Sequence, residues 1–298
     1  MTSTHWTAAD LPSFAGRTVV VTGANSGIGL VASRELARAG ARVVMAVRNT
    51  DKGEQAAGTV SGEREVRRLD LTDLASVRAF ADAWDGDLDV LINNAGVMAI
   101  PLSRTTDGFE TQFGTNHLGH FALTNLLLPH ITDRAVTVSS AAHRSGKINF
   151  DDLNWNSRKY DSWAAYGQSK LANLLFTLEL QRRLAAAGSD VRAFAAHPGW
   201  AATNLQSHSS GVMNAVMKVG NAVLAQSDQM GALPTLFAAS QDLPDASYVG
   251  PDGRFESRGY PTLVGRTAAA SDVQVAERLW TASEELTGVH FALGQLSG

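Results

Sequence analysis

The sequence predicts an α/β fold: a doubly wound, mostly parallel sheet with helices on both faces, held in a single domain. Short β-branched runs alternate with helical stretches from the first strand onward, and such spacing demands crossover connections. Right-handed crossovers then wind helices onto both faces. A glycine-rich turn follows the first strand, where a doubly wound sheet opens its ligand crevice. The 298 residues suit one large domain with no obligatory second one.

The elements follow in order. Thr18–Thr22 is a strand, and Leu30–Ala39 a helix closed by Gly40. Ala41–Val47 is the second strand, followed by a helix over Asp51–Gly58. Glu65–Leu69 is the third, followed by a helix over Asp73–Trp84. Leu88–Ile92, Ala135–Val138 and Val191–Ala196 are further buried strands, and Val289–Leu293 is expected to be the last. Two stretches break the rhythm: the polar Ala141–Ala164, and the interval from Ala201 to about Arg266. The second holds an apolar segment and the Gly/Pro-rich loop YVGPDGRFESRGYP. Both read as insertions over one end of the sheet, where α/β active sites lie. The domain is therefore 1–298, with a substrate-lid insertion at about 201–266.

Composition narrows the function. There are no cysteines, so disulfides, thiolate nucleophiles and Cys-held metals are excluded. Lys and Arg total 25 against 29 Asp and Glu, a balance that points to neither nucleic acid nor an anionic membrane. The start, MTSTHWTAADLPSFAGR, lacks the charged-then-apolar order of a secretory signal. With no long apolar run, no transmembrane anchor is expected, and the expected location is cytoplasmic.

Gly23 follows the first strand, and Gly27 and Gly29 lead into the helix, in the spacing TGxxxGxG. Glycines there allow a tight turn and close backbone approach to a pyrophosphate, to which the helix N-terminus offers amide donors. The second strand ends at Val47-Arg48. A carboxylate near this point usually holds ribose hydroxyls, whereas Arg48 offers a fork suited to a 2′-phosphate. NADP is therefore the expected cofactor, with NAD as the alternative. Asp70, after the third strand, suits an adenine amino group or a helix cap. Asn93–Gly96, NNAG, is small enough for backbone to pass close to a cofactor, and reads equally as a tight turn.

Tyr166 and Lys170 are four residues apart, on one helical face. A phenol titrating near 10 is a poor acid–base group at neutral pH, and a neighbouring ammonium is expected to lower it. Lys170 also suits ribose hydroxyls. Ser139 and Ser140 end a buried-type strand, and either could hydrogen-bond a substrate oxygen. No GxSxG surrounds them, which disfavours a hydrolase. Asn116 is awkward inside a helix unless satisfied locally or functional. His117 and His120, three apart, lack the companions of a metal site, and no metal is expected. His197, before Pro198-Gly199, reads as a strand-end hydrogen-bonding residue.

TGANSGIG at 22–29, NNAG at 93–96, TNHLG at 115–119, VTVSS at 136–140, YGQSK at 166–170 and HPGW at 197–200 together resemble the short-chain dehydrogenase/reductase family, classical type. INFDDLNW and LWTASEELTG resemble its retinol dehydrogenase-like and WW-domain oxidoreductase-like branch. The resemblance implies a Rossmann-type sheet of seven strands. It implies a catalytic set of Ser140, Tyr166 and Lys170, completed by Asn116 holding a proton-relaying water. It implies cofactor contacts from Gly23, Asn25, Ser26, Gly27, Ile28 and Gly29, from Arg48, Asp70 and Leu71, and from Asn94, Ala95 and Gly96. Tyr166, Lys170, Pro198, Gly199 and Thr203 would meet the nicotinamide end. Ser26 stands where many NADP-binding members carry a second basic residue, so the preference over NAD is expected to be modest. The implied activity is NADP(H)-dependent interconversion of a hydrophobic aldehyde or ketone and its alcohol, in a homodimer or homotetramer built on the helix after Tyr166. Met213 and Met217, within SSGVMNAVMKVGNAVLAQ, would help form an adaptable apolar lid. Competing readings are a cofactor-sensing regulatory or scaffold protein, and an epimerase or dehydratase on the same fold.

Overall fold

The computed structural model describes residues 5–199 and 226–295. Its centre is a sheet of eight strands rather than seven, in the order β3-β2-β1-β4-β5-β6-β7-β8. The strands are β1 (Thr18–Thr22), β2 (Arg42–Val47), β3 (Arg64–Arg68), β4 (Leu88–Asn93), β5 (Ile131–Val138), β6 (Arg192–Ala196), β7 (Tyr248–Pro251) and β8 (Pro261–Leu263). All pair in parallel except β7 with β8.

Period-two alternation sorts each strand between two faces. Val19, Val21, Val43 and Met45 join α1 (Gly27–Arg38) and a later helix, Asp228–Ser240, in one core. Val20, Val44, Leu91 and Ala135 face the other layer with Phe121, Phe176, Leu180 and Trp280. In chain order, α2 spans Thr50–Ala57, α3 Leu74–Asp82, α4 Thr111–Phe113, α5 Gly119–Leu127 and α6 Ser162–Ala186. Asp228–Ser240 is α7, and Val273–Thr287 is α8. Between α4 and α5 the helix widens into one π-type turn, Gly114–Leu118, which carries Asn116.

α6 is buried on nearly all sides, from Ala165 to Gln181 with Leu178 half-buried, by the sheet, the π turn and α8. Its apolar residues therefore pack within the single chain. Among the described residues no helix is long and apolar enough to cross a membrane.

Two expectations are corrected. Val289–Leu293 is not a strand: after Gly288 closes α8 in the left-handed region, the chain packs back and enters a short 3₁₀ turn, Ala292–Gln295. Its apolar alternation serves side-chain packing, with Phe291 edge-on to Trp280 and its amide donating to Glu284 at 3.1 Å. Conversely, YVGPDGRFESRGYP is not all loop, for it supplies β7 and the first residue of β8. Gly250 argues against a strand in sequence, but a Cβ there would lie 2.1 Å from His197 Nε2. Thus residues 228–263 of the interval read as a lid carry α7, β7 and β8, which belong to the sheet and its helical layer. The apolar stretch at 212–224 lies outside the described residues.

Candidate active site

The carboxyl ends of β1 to β6 converge where the strand order reverses between β1 and β4. The glycine turn follows β1, Arg48 follows β2, Asp70 and Leu71 follow β3, Asn94–Gly96 follow β4, Ser140 follows β5 and Pro198-Gly199 follow β6. The topology thus brings these sequence-distant candidates to one crevice.

Gly23 and Gly27 take positive φ, +66° and +54°. At Gly29 a Cβ would lie 2.5 Å from Asn94 Nδ2 and 2.6 Å from the Gly23 carbonyl oxygen, so nothing larger fits. The helix start behind them is distinctive. α2, α3, α6, α7 and α8 are each capped by a side chain accepting from their first amides, whereas Ser26 gives α1 no such bond. Its leading amides are left for a ligand, with the helix field behind them. Asn25 and Ser26 are half-buried in this turn, and Ile28 is buried behind it. The cradle fits a dinucleotide pyrophosphate.

Arg48 is exposed and forms no hydrogen bond or ion pair among the described residues. Asp70 is not the cap of α3; that is Asp73, which accepts from Ala75. Asp70 Oδ1 instead closes its own turn on the Thr72 amide and hydroxyl, at 3.0 and 2.7 Å. Leu71 is buried, its carbonyl against Gly119.

The NNAG turn is held by Thr22, whose hydroxyl accepts from the amides of Asn94 and Ala95, both at 2.9 Å. Asn94 Nδ2 returns to the Thr22 carbonyl at 2.8 Å. In the π turn, Asn116 clamps Val97 both ways, accepting from its amide at 2.8 Å and donating to its carbonyl at 2.9 Å. The second Nδ2 hydrogen goes to Ser169 Oγ at 2.9 Å. A water relayed by this side chain would therefore bind at Oδ1, as a donor. Gly96 lies where Asn116 and Lys170 meet: a Cβ there would sit 3.1 Å from Oδ1 and 3.5 Å from Nζ.

The two serines separate cleanly. Ser139 is buried and spent on the Lys170 carbonyl, at 2.8 Å. Ser140 caps the next turn through Ala142 and borders Tyr166. Burial pushes the Tyr166 phenol up to about 12, while hydrogen bonding to Ser140 pulls the other way. This corrects the expectation that Lys170 depresses the phenol in the chain by itself. Lys170 Nζ is 5.8 Å from the ring centroid and donates to the Val138 carbonyl at 3.0 Å, and desolvation outweighs its field.

Burial also draws the Lys170 ammonium down to about 8, from 10.5. Between those values the unfolded chain binds a proton that the folded chain has shed, so stability rises with pH across that window. Below it the full penalty applies, of order 3 kcal/mol. Lys170→Met keeps the apolar stem, and Asn173 still donates to Val138 at 3.0 Å. The substitution is expected to raise the Tm of the cofactor-free protein at pH 7 by about 5 °C, the gain fading towards pH 10. A variant that melts below the parent at pH 7 contradicts this electrostatic account.

His197 is fully buried at the end of β6. Its Nδ1 accepts from the Gly199 amide at 3.2 Å, which places the ring proton on Nε2, 3.0 Å from Glu256 Oε2. Arg144, in the turn after Ser140, holds the other Glu256 oxygen at 2.7 Å. Glu256 and Phe255 adopt left-handed φ, 55° and 57°, to make this link. Gly199 itself has φ +67°, and a Cβ would meet the Ser257 carbonyl at 2.6 Å. Gln226 Nε2 donates to the Pro198 carbonyl at 2.5 Å, joining the chain on either side of 200–225. Thr203 lies outside the described residues. Sequence reasoning missed Glu256 and Arg144, which meet only through the fold. It gave His120 no role, and its partners are Thr22 and Asn116. Among the described residues there is no His/Asp/Glu cluster able to hold a metal.

A strand-end turn open only to backbone, with a protonated phenol and an ammonium on α6 beside the end of β5, defines an α/β oxidoreductase that works on a bound nucleotide. Residues 17–212 match the model of the short chain dehydrogenase family, and the chain belongs to that family, in its retinol dehydrogenase-like branch. It is 44% identical to retinol dehydrogenase 13 of Homo sapiens over 292 residues, covering 92% of this chain and 85% of that protein. An uncharacterised protein from Mycobacterium paratuberculosis superposes with a TM-score of 0.86 at 60% identity, covering 97% of this chain and all of the other. A protein from Beutenbergia cavernae named as a candidate NAD(P)-dependent gluconate 5-dehydrogenase, solved with NADP bound at low occupancy, gives 0.59 at 26% identity, over 76% of this chain and 91% of that one.

Proposed function

We propose that the protein interconverts a hydrophobic aldehyde or ketone and its alcohol with NADP(H). The observation that carries this reading is the buried, protonated Tyr166 bordered by Ser140, one helical turn from a buried Lys170 and across the crevice from the uncapped α1 cradle. The bound nicotinamide supplies hydride exchange at carbon. Tyr166 gives its proton to the carbonyl oxygen, and Ser140 donates a hydrogen bond to that oxygen and orients it. The Lys170 charge stabilises the phenolate left behind. Asn116 keeps the Val97 backbone and α6 in register with Gly96. Arg48, exposed at the end of β2, pairs with the 2′-phosphate and sets the preference over NAD.

The relatives named as retinol dehydrogenases support an apolar substrate. So does Trp163, whose ring stands edge-on to Tyr166 at 6.1 Å and gives the phenol an apolar wall. On the same reading the enzyme acts in the cytoplasm as a homodimer or homotetramer, an assembly that rests on the family resemblance alone.

The test is a panel of aldehydes and ketones graded by apolar size, run with NADPH and NADH on the parent and on Arg48→Ala. The expected result is a kcat/KM that rises with apolar size. Arg48→Ala should weaken NADPH by about 1–3 kcal/mol and leave NADH nearly unchanged. Preference for small charged carbonyls removes the substrate class, and equal losses for both cofactors remove the role of Arg48. Cofactor binding with no consumption across the panel favours a cofactor-sensing protein. Substrate conversion without net NADPH consumption favours an epimerase or dehydratase.

A further inference from the structure

His120 has no assigned part in the reaction, yet it occupies the junction between the cofactor turn and the π turn. It is buried near the start of α5. Its Nδ1 lies 3.0 Å from the Asn116 carbonyl oxygen and its Nε2 2.9 Å from Thr22 Oγ1. A carbonyl can only accept, so Nδ1 carries a hydrogen. In a neutral ring Nε2 is then an acceptor and, at 2.9 Å against 3.4 Å for the Ile92 carbonyl, the nearer acceptor for the one hydroxyl proton of Thr22. Both Thr22 lone pairs are thereby free to accept the amides of Asn94 and Ala95, and both do. An N–H at Nε2 would compete for one of those lone pairs and cost the turn a bond. The network closes with one tautomer only.

Its far end reaches the reacting groups. Asn116 donates to Ser169 Oγ, and Ser169 Oγ donates to the Tyr166 carbonyl at 2.8 Å, inside α6. One hydrogen-bonded path thus runs from β1 through Thr22, His120, Asn116 and Ser169 to the helix that carries Tyr166 and Lys170.

We propose that His120 is a positioning residue: by presenting an acceptor at Nε2 it orients the Thr22 hydroxyl, and so sets the Asn94–Ala95 turn against the cofactor in register with Asn116. Its contribution to turnover rests on the oxidoreductase reading, while its effect on the turn does not. The surroundings favour the neutral ring. Burial and the Lys170 charge hold His120 down to about 4, and its neighbour His117 is held to about 3 by burial.

Substitutions can divide the ring's two functions. Glutamine places its amide oxygen near the Nε2 position and restores the acceptor. Asparagine places its amide nitrogen near Nδ1 and restores only the donor, and phenylalanine restores neither. Two readouts are needed on the full chain: amide hydrogen exchange at Asn94 and Ala95 in the free protein, and NADPH affinity by fluorescence. His120→Gln should stay within about threefold of the parent in both. His120→Asn and His120→Phe should speed exchange at those amides and weaken NADPH, each about tenfold. Thr22→Val should do the same alone, and His120→Phe added to it should cost nothing more. Thr22→Ser should behave as the parent. Normal protection and affinity in the asparagine variant, or equal losses in the glutamine and asparagine variants, would overturn the proposal. So would additive losses in the double variant. The expected pattern in a protein that reduces no carbonyl would keep the positioning role and remove the oxidoreductase reading instead.

Discussion

Tyr166→Phe is expected to lower kcat on the order of 10²–10⁴-fold while leaving NADPH affinity nearly unchanged. The substitution deletes one hydroxyl and keeps the ring, so packing against Trp163 is retained. Folding should be retained too, since the lost group is a buried phenol whose charged form is already disfavoured. What disappears is an acid bordering Ser140 that stays protonated throughout the neutral range. The comparison is made at saturating NADPH and carbonyl, with cofactor affinity measured separately. Near-normal turnover in the variant contradicts the assignment of Tyr166 as proton donor. A large loss of NADPH affinity with kcat preserved would make Tyr166 a binding group.

The second large effect is expected at Gly29. A Cβ there would press on Asn94 Nδ2 and on the Gly23 carbonyl, and the latter is backbone that cannot swing aside. Gly29→Ala must therefore open the turn or displace Asn94, whose Nδ2 holds the Thr22 carbonyl. Overpacking of this kind costs about 1–3 kcal/mol. Expressed in binding, that weakens NADP(H) on the order of 10- to 100-fold, and the cofactor-induced rise in Tm should shrink accordingly. Gly265→Ala is the control, because nothing lies within 4 Å of the added Cβ and its φ is not positive. Unchanged affinity in Gly29→Ala would mean that the cofactor does not use this cradle.

Five of the first six strands were legible as short apolar runs bounded by turn residues, which parallel pairing buries on both faces, whereas β3, charged and half-exposed at the sheet edge, was legible from the strand–helix rhythm alone. The glycine turn and Tyr166/Lys170 were legible because their spacing carries the geometry. β7 was not, since Gly250 and Pro251 read as loop until His197 is packed against the glycine. Val289–Leu293 misled in the opposite direction, because alternation records side-chain burial and not hydrogen-bonded pairing. Ser139 and Ser140 could not be told apart before Ser139 was seen to hold the Lys170 carbonyl. The direction of the Tyr166 shift depends on burial, which a residue pair four apart does not reveal. Glu256 meets His197 across 59 residues of sequence, and no local pattern announces that contact.

The central claim is that this site moves hydride between a nicotinamide and a carbonyl carbon. The direct test uses NADPH deuterated at the transferable position of the nicotinamide C4, with a long-chain aldehyde in ordinary water. The expected product is the alcohol with one deuterium at its carbinol carbon, formed mole for mole with NADP. A deuterated cofactor left intact, or an alcohol with only solvent hydrogen at that carbon, would contradict the account.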